Sequence, residues 1–414
     1  MKFSLKRSMI ALMLTIGSTV QANTTITIAS FPDLDRSAKV AIPLWKKKYP
    51  KIDIKVVSLS YADHHNAMTT ALATGANLPD VMAVDMGFIG KFAESGGLED
   101  LSKAPYNGLQ LKDKLARFSI PLAMSGTGAL SAMPTDIGPG ALFYRKDLLD
   151  KAGVSEEDLT KSWESFIEVG KKIKASTGAY MLASANDIKD IYIRAGLQDG
   201  EGIYFDKTGK VLVNSPRFEK AFQLAKQARA AGIDSKVNAW SNEWSESFKR
   251  NKIAAQMMGA WLAGHLHNWL APDQKGKWRS AVLPGGVYAS WGGSFYAIPK
   301  KAKNKALAWE FIKLMTTDKE QQLSAFRTVD AFPALLEAQT DPFIDQPIDY
   351  LGGQKARRQW LETARRIPAV DVDKFDPVAN EIVNTELEKV LEQGKDIKTA
   401  LTDAKNLIER RVRR

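Results

Sequence analysis

The sequence predicts an α/β fold with enough length for two domains. Strand-like runs alternate with helix-like runs along the first hundred residues, an order typical of βαβ units and a mainly parallel sheet. The chain has 414 residues, of which 44% are hydrophobic and 25% are charged, as in globular proteins. It contains no internal repeat and no low-complexity linker, so we expect short crossovers between two domains, which favours a hinge.

The first residues predict an export signal. Lys2, Lys6 and Arg7 precede a short apolar run at 9–16, and Val20-Gln21-Ala22 supplies a small-residue cleavage site. The run is shorter than the roughly 20 residues of a membrane span. We therefore expect residues 1–22 to be a cleavable signal peptide, and the mature protein to be soluble and periplasmic. The absence of cysteine excludes disulfides, a thiol nucleophile and a lipid-anchored cysteine.

The first alternating region has strands predicted at 25–29, 52–57 and 81–84 and helices predicted at 38–49 and 63–74. Pro50 and Gly75 mark the ends of the two helices. Ligands of such sheets bind beyond the carboxyl ends of the strands. The residues at those ends are Phe31, Tyr61 to His65, and Asp85.

A second region begins with an apolar strand-like run at 140–144. A short strand is predicted at 253–258 and is followed by a segment rich in tryptophan and glycine, 261–293. The remaining periodic segments are predicted as helices, at 163–175, 216–231, 244–249, 305–315, 318–326 and 379–411.

Five segments, in this order, carry a resemblance to a known family. They are "AIPLWKKKYPKIDIKVVSLSYADHHNAMTTALATGANLPDVMAVD", "GALFYRKDLLDKAGV" with "SWESFIEVGKKI", "FKRNKIAAQMMGAWLAGHL", "SWGGSFYAIPKKAKNKALAWEFIKLMT" and the "FPA" after Arg327. The chain resembles the family 1 extracellular solute-binding proteins of ATP-driven (ABC) importers, the maltose-binding-protein-like group. The match runs along essentially the whole chain.

The resemblance implies a type II periplasmic binding protein, an α/β fold of two lobes with the ligand cleft between them and about three crossovers at the hinge. Lobe one would comprise residues 23–133 plus 284–330, and lobe two residues 134–283 plus 331–414. It further implies a monomer that captures a carbohydrate, performs no chemistry on it, needs no cofactor and delivers it to the transmembrane subunits of a permease.

The sequence offers aromatic platforms for a sugar. Trp261 follows an apolar strand and matches a family position where an aromatic ring commonly covers the sugar. Trp291 with Gly292 and Gly293 matches a glycine-rich turn where backbone amides approach the ligand, because glycine permits close contact. Trp240, with Trp244 beside it, precedes a helix and is a further candidate. The alternative for each tryptophan is a buried core ring.

The polar candidates start with two carboxylates. Asp85 ends a strand and Asp136 lies at the first expected crossover; the alternatives are a helix N-cap and a turn residue respectively. Arg327 lies near the last crossover, where the family sometimes has a ligand-binding arginine, and could equally be a surface residue. If the sheet is as predicted, Phe31, Tyr61 and His64 face the cleft, whereas His65 points elsewhere.

Other classes of ligand and function remain open. The basic surplus, a net charge of +11, together with Arg327 and two histidines could suit an acidic sugar, although nothing requires one. An amino acid or peptide could occupy the same fold. A metal site is opposed by the spacing of His265 and His267, which lie about 200° apart on a helix. A glycoside hydrolase could use Asp85 and Asp136. A nucleic-acid partner is opposed by the export signal and the lack of a basic stripe.

Overall fold

The computed structural model describes residues 24–412, so the predicted signal peptide lies outside the described residues. The strands are β1 Thr24–Ser30, β2 Ile52–Ser58, β3 Val81–Asp85, β4 Met133–Arg145, β5 Ala255–Gly259, β6 Trp278–Ala281, β7 Ser290–Ala297 and β8 Phe332–Pro333.

Helices cover the faces of the sheet. In the first half of the chain they are α1 Leu34–Val40, α2 Ile42–Lys48, α3 Tyr61–Thr74, α4 Ile89–Ala93, α5 Ser119–Leu122, α6 Lys146–Lys151, α7 Glu156–Thr160, α8 Trp163–Thr177 and α9 Asn186–Tyr192. In the second half they are α10 Pro216–Ala230, α11 Asn242–Lys249, α12 Leu262–His265, α13 Lys305–Thr317, α14 Lys319–Val329, α15 Ala356–Arg366, α16 Asp376–Gln393 and α17 Ile397–Val412. A π-helical turn, Leu266–Leu270, continues α12.

The strands are ordered β2-β1-β3-β7-β4-β5, with β6 and β8 also paired with β4. β1 is parallel to β2 and β3, as the sequence predicts. The expectation of a mainly parallel sheet is wrong for the rest, because β7 is antiparallel to β3 and β4, and β5, β6 and β8 are antiparallel to β4. β7 comes back into the first sheet from the second half of the fold, which reverses its direction.

Two of the predicted helices are each divided into two. The segment predicted at 38–49 breaks at Ala41 into α1 and α2, because Pro43 lacks the N–H that would bond the carbonyl of Lys39. The segment predicted at 379–411 breaks at Gly394, whose φ of 69° ends α16 in the left-handed conformation. The strand predicted at 140–144 is the end of a longer strand, β4, which begins at Met133. The other predicted elements lie within a few residues of the observed ones.

One long strand connects the two halves of the molecule. The first part of β4 pairs with β7, at Met133 opposite Tyr296, and its last part pairs with β5, from Gly140 opposite Gly259. We call the part built on β1, β2, β3 and β7 lobe one, and the part built on β5, β6 and the end of β4 lobe two. β8 pairs with the middle of β4, so the crossing strands lie side by side at the junction.

Gly138 lies where these strands cross. A Cβ atom at this position would be 1.9 Å from the carbonyl oxygen of Trp291 and 2.7 Å from that of Gly292. No side chain fits at such distances, so glycine is required for β4 and β7 to approach this closely. The ladder between these strands is also irregular at Gly138 itself, between Ile137 and Pro139, and just before it, between Pro134 and Asp136.

Candidate functional site

Three neighbouring strands bring two of the predicted carboxylates to one face of the sheet. Asp85 on β3 and Asp136 on β4 are both opposite Ser294 on β7. Residues directly opposite in adjacent strands project their side chains to the same side. The row Asp85, Ser294, Asp136 therefore presents two carboxylates flanking a hydroxyl at the junction of the lobes.

Asp85 is held by neutral donors. Its Oδ1 accepts a hydrogen bond of 2.8 Å from the Tyr61 hydroxyl and one of 2.7 Å from the backbone N–H of Gly87. It is not an N-cap, since α4 begins after Phe88. Burial raises the pKa of Asp85, and the bonds from Gly87 and Tyr61 oppose this rise.

Asp136 is in a less favourable position for a charge. Loss of hydration raises its pKa to about 7; a hydrogen bond from the Ser294 side chain opposes the rise, and the negative charge of Asp85 adds to it. The two carboxylates therefore repel each other electrostatically, and a ligand that donates hydrogen bonds to both would relieve this repulsion.

Aromatic rings form a wall beside this row. The Nε1 of Trp261 donates to the carbonyl oxygen of Trp291 at 2.9 Å, and the ring of Trp240 stacks on that of Trp261 with centroids 5.8 Å apart and planes 27° apart. Trp240 is 56% exposed and has φ of 70°, a left-handed conformation that costs a non-glycine residue energy. Neighbouring Trp244 is instead fully buried, with its Nε1 3.2 Å from Gln256 Oε1.

The glycines after Trp291 keep the wall compact. A Cβ on Gly292, which has φ of 78°, would be 2.9 Å from Trp261 Nε1. Gly293 has φ of 130°, and its carbonyl accepts a 2.9 Å bond from the N–H of Met86, just beyond β3. Both residues are thus required by close packing around the row of carboxylates.

The structure corrects the expectation for the two histidines. His64 does not face the cleft: it is buried, with Nε2 2.8 Å from the carbonyl oxygen of Ala83. His65 is also buried, but it supports the site, because its Nε2 accepts from the N–H of Asp85 at 3.1 Å and its Nδ1 lies 2.7 Å from the carbonyl oxygen of Tyr61. Burial lowers the pKa of each histidine to about 4, so both are neutral at physiological pH.

Phe31 forms the floor beneath Tyr61. It is 8% exposed, and its ring lies 5.7 Å from the Tyr61 ring in an edge-to-face arrangement. The rings of His64 and His65 also lie near it, with centroids 5.5 and 5.3 Å from that of Phe31. Of the aromatic residues predicted at the strand ends, Tyr61 is the one that is exposed, at 44%.

Arg327 makes its contacts elsewhere. Its side chain is half exposed on α14, 3.8 Å from a carboxylate oxygen of Asp341 and 5.1 Å from the ring of Phe343. Both partners follow β8 in the chain, and neither belongs to the aromatic wall or to the carboxylate row. These contacts correspond to the alternative of a surface arginine.

The sequence analysis missed Arg194, which lies just after α9. Its guanidinium lies 5.0 Å from the centre of the Trp291 ring, and its Nη1 donates to the carbonyl oxygen of Asp190 at 2.6 Å. Burial raises the pKa values of Asp85 and Asp376, and the charge of Arg194 offsets a small part of each rise. It follows a helix in an irregular segment, so no motif marked it.

Asp33 and His265 were also missed. Asp33 follows β1, and its Oδ2 lies 2.9 Å from His265 Nδ1, although the alignment is not that of a full hydrogen bond. Burial alone would raise the pKa of Asp33, but the contact and charge of His265, followed by Arg36, lower it below the usual value. The rule that ligands bind at strand ends could have identified Asp33. His265 also contacts the Trp261 and Trp240 rings, at 5.2 and 5.5 Å.

Contacts across the junction hold the lobes together. Asp33 of lobe one meets His265 of the segment after β5, and the Nη1 of Arg117 lies 2.7 Å from a carboxylate oxygen of Asp199. The two backbones also approach closely, because a Cβ on Gly90 would be 2.9 Å from the carbonyl oxygen of Asp373. The carboxylate row and the aromatic wall thus lie at the junction of two lobes in contact.

Two further observations concern residues 24–412. In this part of the chain, no three histidine, aspartate or glutamate side chains are grouped so that they could hold a metal ion. None of the helices described there is both long enough and apolar enough to cross a membrane.

Comparison with known proteins gives consistent results. The profile of the family described as "Bacterial extracellular solute-binding protein" matches residues 29–322. The chain is 29% identical over 354 residues to the lactose-binding protein of Rhizobium radiobacter, covering 81% of each chain. It is 28% identical over 283 residues to the arabinooligosaccharide-binding protein of Bacillus subtilis (strain 168), covering 65% of this chain and 63% of that protein.

Solved structures share the fold. An ABC transporter associated binding protein from B. animalis subsp. lactis Bl-04, in complex with beta-1,6-galactobiose, superposes with a TM-score of 0.76 at 22% identity, covering 93% of this chain and 96% of that one. A maltose-bound T. maritima protein superposes with a TM-score of 0.77 at 20% identity, covering 94% and 100%. The predicted two-lobed α/β fold is confirmed, and the chain belongs to the bacterial extracellular solute-binding protein family.

Proposed function

We propose that this protein captures a carbohydrate between its two lobes and delivers it to the membrane-spanning subunits of an ABC importer. The observation that carries the proposal is the pairing of an exposed aromatic wall with a row of hydroxyl-binding groups. A pyranose has an apolar C–H face and an edge of hydroxyls, so a site for it needs both kinds of surface side by side.

Each lobe supplies a different part of this site. Trp240, Trp261 and Arg194 come from lobe two, and rings of this kind bury apolar sugar surface at about 25 cal/mol per Å². Asp85 and Tyr61 come from lobe one, where a carboxylate accepts hydrogen bonds from hydroxyls more strongly than a neutral oxygen does. A sugar that touches both sets of groups binds the closed form better than the open form, and that difference is what drives closure.

Known relatives support a carbohydrate as the ligand. The lactose-binding and arabinooligosaccharide-binding proteins are similar over most of this chain. The galactobiose-bound and maltose-bound structures share its fold. With residues 1–22 removed, the mature protein would act in the periplasm as a monomer without a lipid anchor, hinged between lobe one (23–133 plus 284–330) and lobe two (134–283 plus 331–414). It would leave the bound sugar chemically unchanged.

A thermal-shift screen tests the proposal. The protein lacking residues 1–22 is heated with neutral mono- and oligosaccharides, polyols, acidic sugars, amino acids and divalent metals. A ligand that binds only the folded state raises the melting temperature. At a free ligand concentration of 100 times its dissociation constant, it adds about 2.7 kcal/mol to the free energy of unfolding. We expect one carbohydrate class to do so. A response to amino acids or metals alone would contradict carbohydrate capture, and turnover of a glycoside by the pure protein would contradict the absence of chemistry.

A further inference from the structure

The charge of the whole chain and the charge of its cleft have opposite signs. The sequence carries a net charge of +11, which by itself favours an anionic ligand. The groups at the junction of the lobes are different: Asp33, Asp85 and Asp136 provide three carboxylates there, beside the guanidinium of Arg194 and the imidazole of His265. Local charge decides which ligand is accepted, because charges more than about 10 Å away are screened by salt.

Arg194 and the imidazole of His265 already have acidic partners. Arg194 lies 3.8 Å from the carboxylate of Asp190 and interacts with Asp376. His265 lies 2.9 Å from the carboxylate of Asp33. An incoming anion would have to compete with these carboxylates for either side chain.

Within residues 24–412, in contrast, neither carboxylate of the row forms an ion pair with a cation. The side chain of Asp85 is held by the Tyr61 hydroxyl and the Gly87 N–H, and that of Asp136 by the Ser294 side chain, all of them neutral donors. Because both are opposite the same residue of β7, their charges project to one side of the sheet. A ligand resting there meets two acceptors whose hydrogen-bond donors are neutral, and the more distant charge of Arg194 offsets only part of the charge of Asp85.

We propose that the cleft selects neutral saccharides and excludes their anionic counterparts, the uronic acids and other carboxylated sugars, with Asp85 and Asp136 as the residues that determine this selectivity. The inference rests on the proposed function and defines its substrate class. A hydroxyl donates to either aspartate, whereas a carboxylate has no proton to donate and repels both. Burial raises the pKa of Asp136 to about 7 and the negative charge of Asp85 adds to the rise, so a further negative charge beside the row is disfavoured.

The test compares matched ligands by calorimetric titration of the mature protein at pH 8. The pairs are galactose with galacturonate, glucose with glucuronate, and galacto-oligosaccharides with galacturonides of equal length. The positively charged amino sugars galactosamine and glucosamine are measured as well. We expect the acids to bind at least about tenfold more weakly than the neutral sugars, because the carboxylate of the ligand is repelled by the two aspartates. The amino sugars should bind at least as well as the acids.

Variants then assign the selectivity to the row. Asp136→Asn and Asp85→Asn should each reduce the ratio of acid to neutral dissociation constants several-fold, even where both constants rise. Asp345→Asn removes an equal charge from an exposed surface ion pair with Arg358 and should leave the ratio unchanged. Raising the salt concentration should reduce the wild-type ratio, because the repulsion is electrostatic.

The outcomes separate the two proposals. If acidic and neutral sugars bind within threefold of each other, or the acids bind more tightly, the charge selectivity is overturned and carbohydrate capture stands. An unchanged ratio in both aspartate variants overturns the assignment to the row. If none of the saccharides binds, the proposed function fails, and the selectivity fails with it.

Discussion

Replacement of Trp240 by alanine should weaken saccharide binding without unfolding the protein. The ring is 56% exposed in the absence of ligand, so its removal leaves no cavity in the core. Covering roughly 80 Å² of apolar surface between ring and sugar at about 25 cal/mol per Å² gives about 2 kcal/mol, a roughly 30-fold rise in the dissociation constant. The measurement is calorimetric titration with a saccharide that stabilises the wild type.

Stability provides the second half of this experiment. Alanine loses the contacts of the Trp240 ring with Trp244 and Trp261, at 5.1 and 5.8 Å, worth about 1 kcal/mol. Trp240→Gly loses the same contacts but removes the strain of the left-handed φ, so it should be about 1 kcal/mol more stable than the alanine variant. Both variants should bind saccharide equally poorly.

Trp244→Ala is the contrasting variant. This ring is fully buried and hydrogen-bonded to Gln256, so its loss should cost about 3–5 kcal/mol of folding stability whatever the ligand. The reasoning about Trp240 would be refuted if its alanine variant bound every saccharide as well as the wild type. A fall in melting temperature as large as that of Trp244→Ala would also refute it.

Three further predictions follow from the junction of the lobes. Asp85→Asn should weaken binding of neutral saccharides about tenfold, since a charged acceptor becomes a neutral one. It should not lower the melting temperature of the free protein, because burial disfavours the charge of Asp85. Unchanged affinity in calorimetric titration would remove Asp85 from the site. Gly138→Ala should destabilise the protein by more than about 2 kcal/mol in urea unfolding, because its Cβ would overlap the carbonyl oxygen of Trp291, whereas Gly126→Ala, whose nearest neighbour is a side-chain oxygen at 3.3 Å, should be tolerated. The pKa of Asp136 is raised from 3.8 to about 7 on folding, so its contribution to stability is present below about pH 4 and is lost as the pH rises through 7; the melting temperature of Asp136→Asn relative to the wild type should therefore increase from pH 5 to pH 8, and a constant difference would contradict the shift.

The sequence predicted those parts of the site that depend on local pattern. Asp85 was identified because a buried strand ends there, and the strand-end rule depends only on direction along the chain. Trp291 and its two glycines were identified from a resemblance whose segments lie in the same order. Asp85 on β3 and Trp291 to Gly293 on β7 lie close together because these two strands are neighbours in the sheet.

Other parts depend on tertiary packing that one sequence does not specify. His64 and His65 differ by about 100° around α3, and the choice between them depends on the rotation of that helix against β3. Arg194 reaches Trp291 only because lobe two folds its irregular segment over the junction. The left-handed backbone of Trp240 could not be foreseen, because tryptophan rarely adopts it.

His65 has a consequence for how Asp85 meets a ligand. The Tyr61 hydroxyl bonds the side chain of Asp85, the N–H of Asp85 bonds His65, and the ring of His65 bonds the backbone of Tyr61, so the three residues form a closed circuit. Asp85 is thereby fixed at both its side chain and its backbone before any solute arrives. Little rotational freedom remains for it to lose on binding, so more of the energy of each new hydrogen bond contributes to affinity. Substitutions that alter affinity without touching the solute are accordingly expected at His65, behind the surface that the solute reaches.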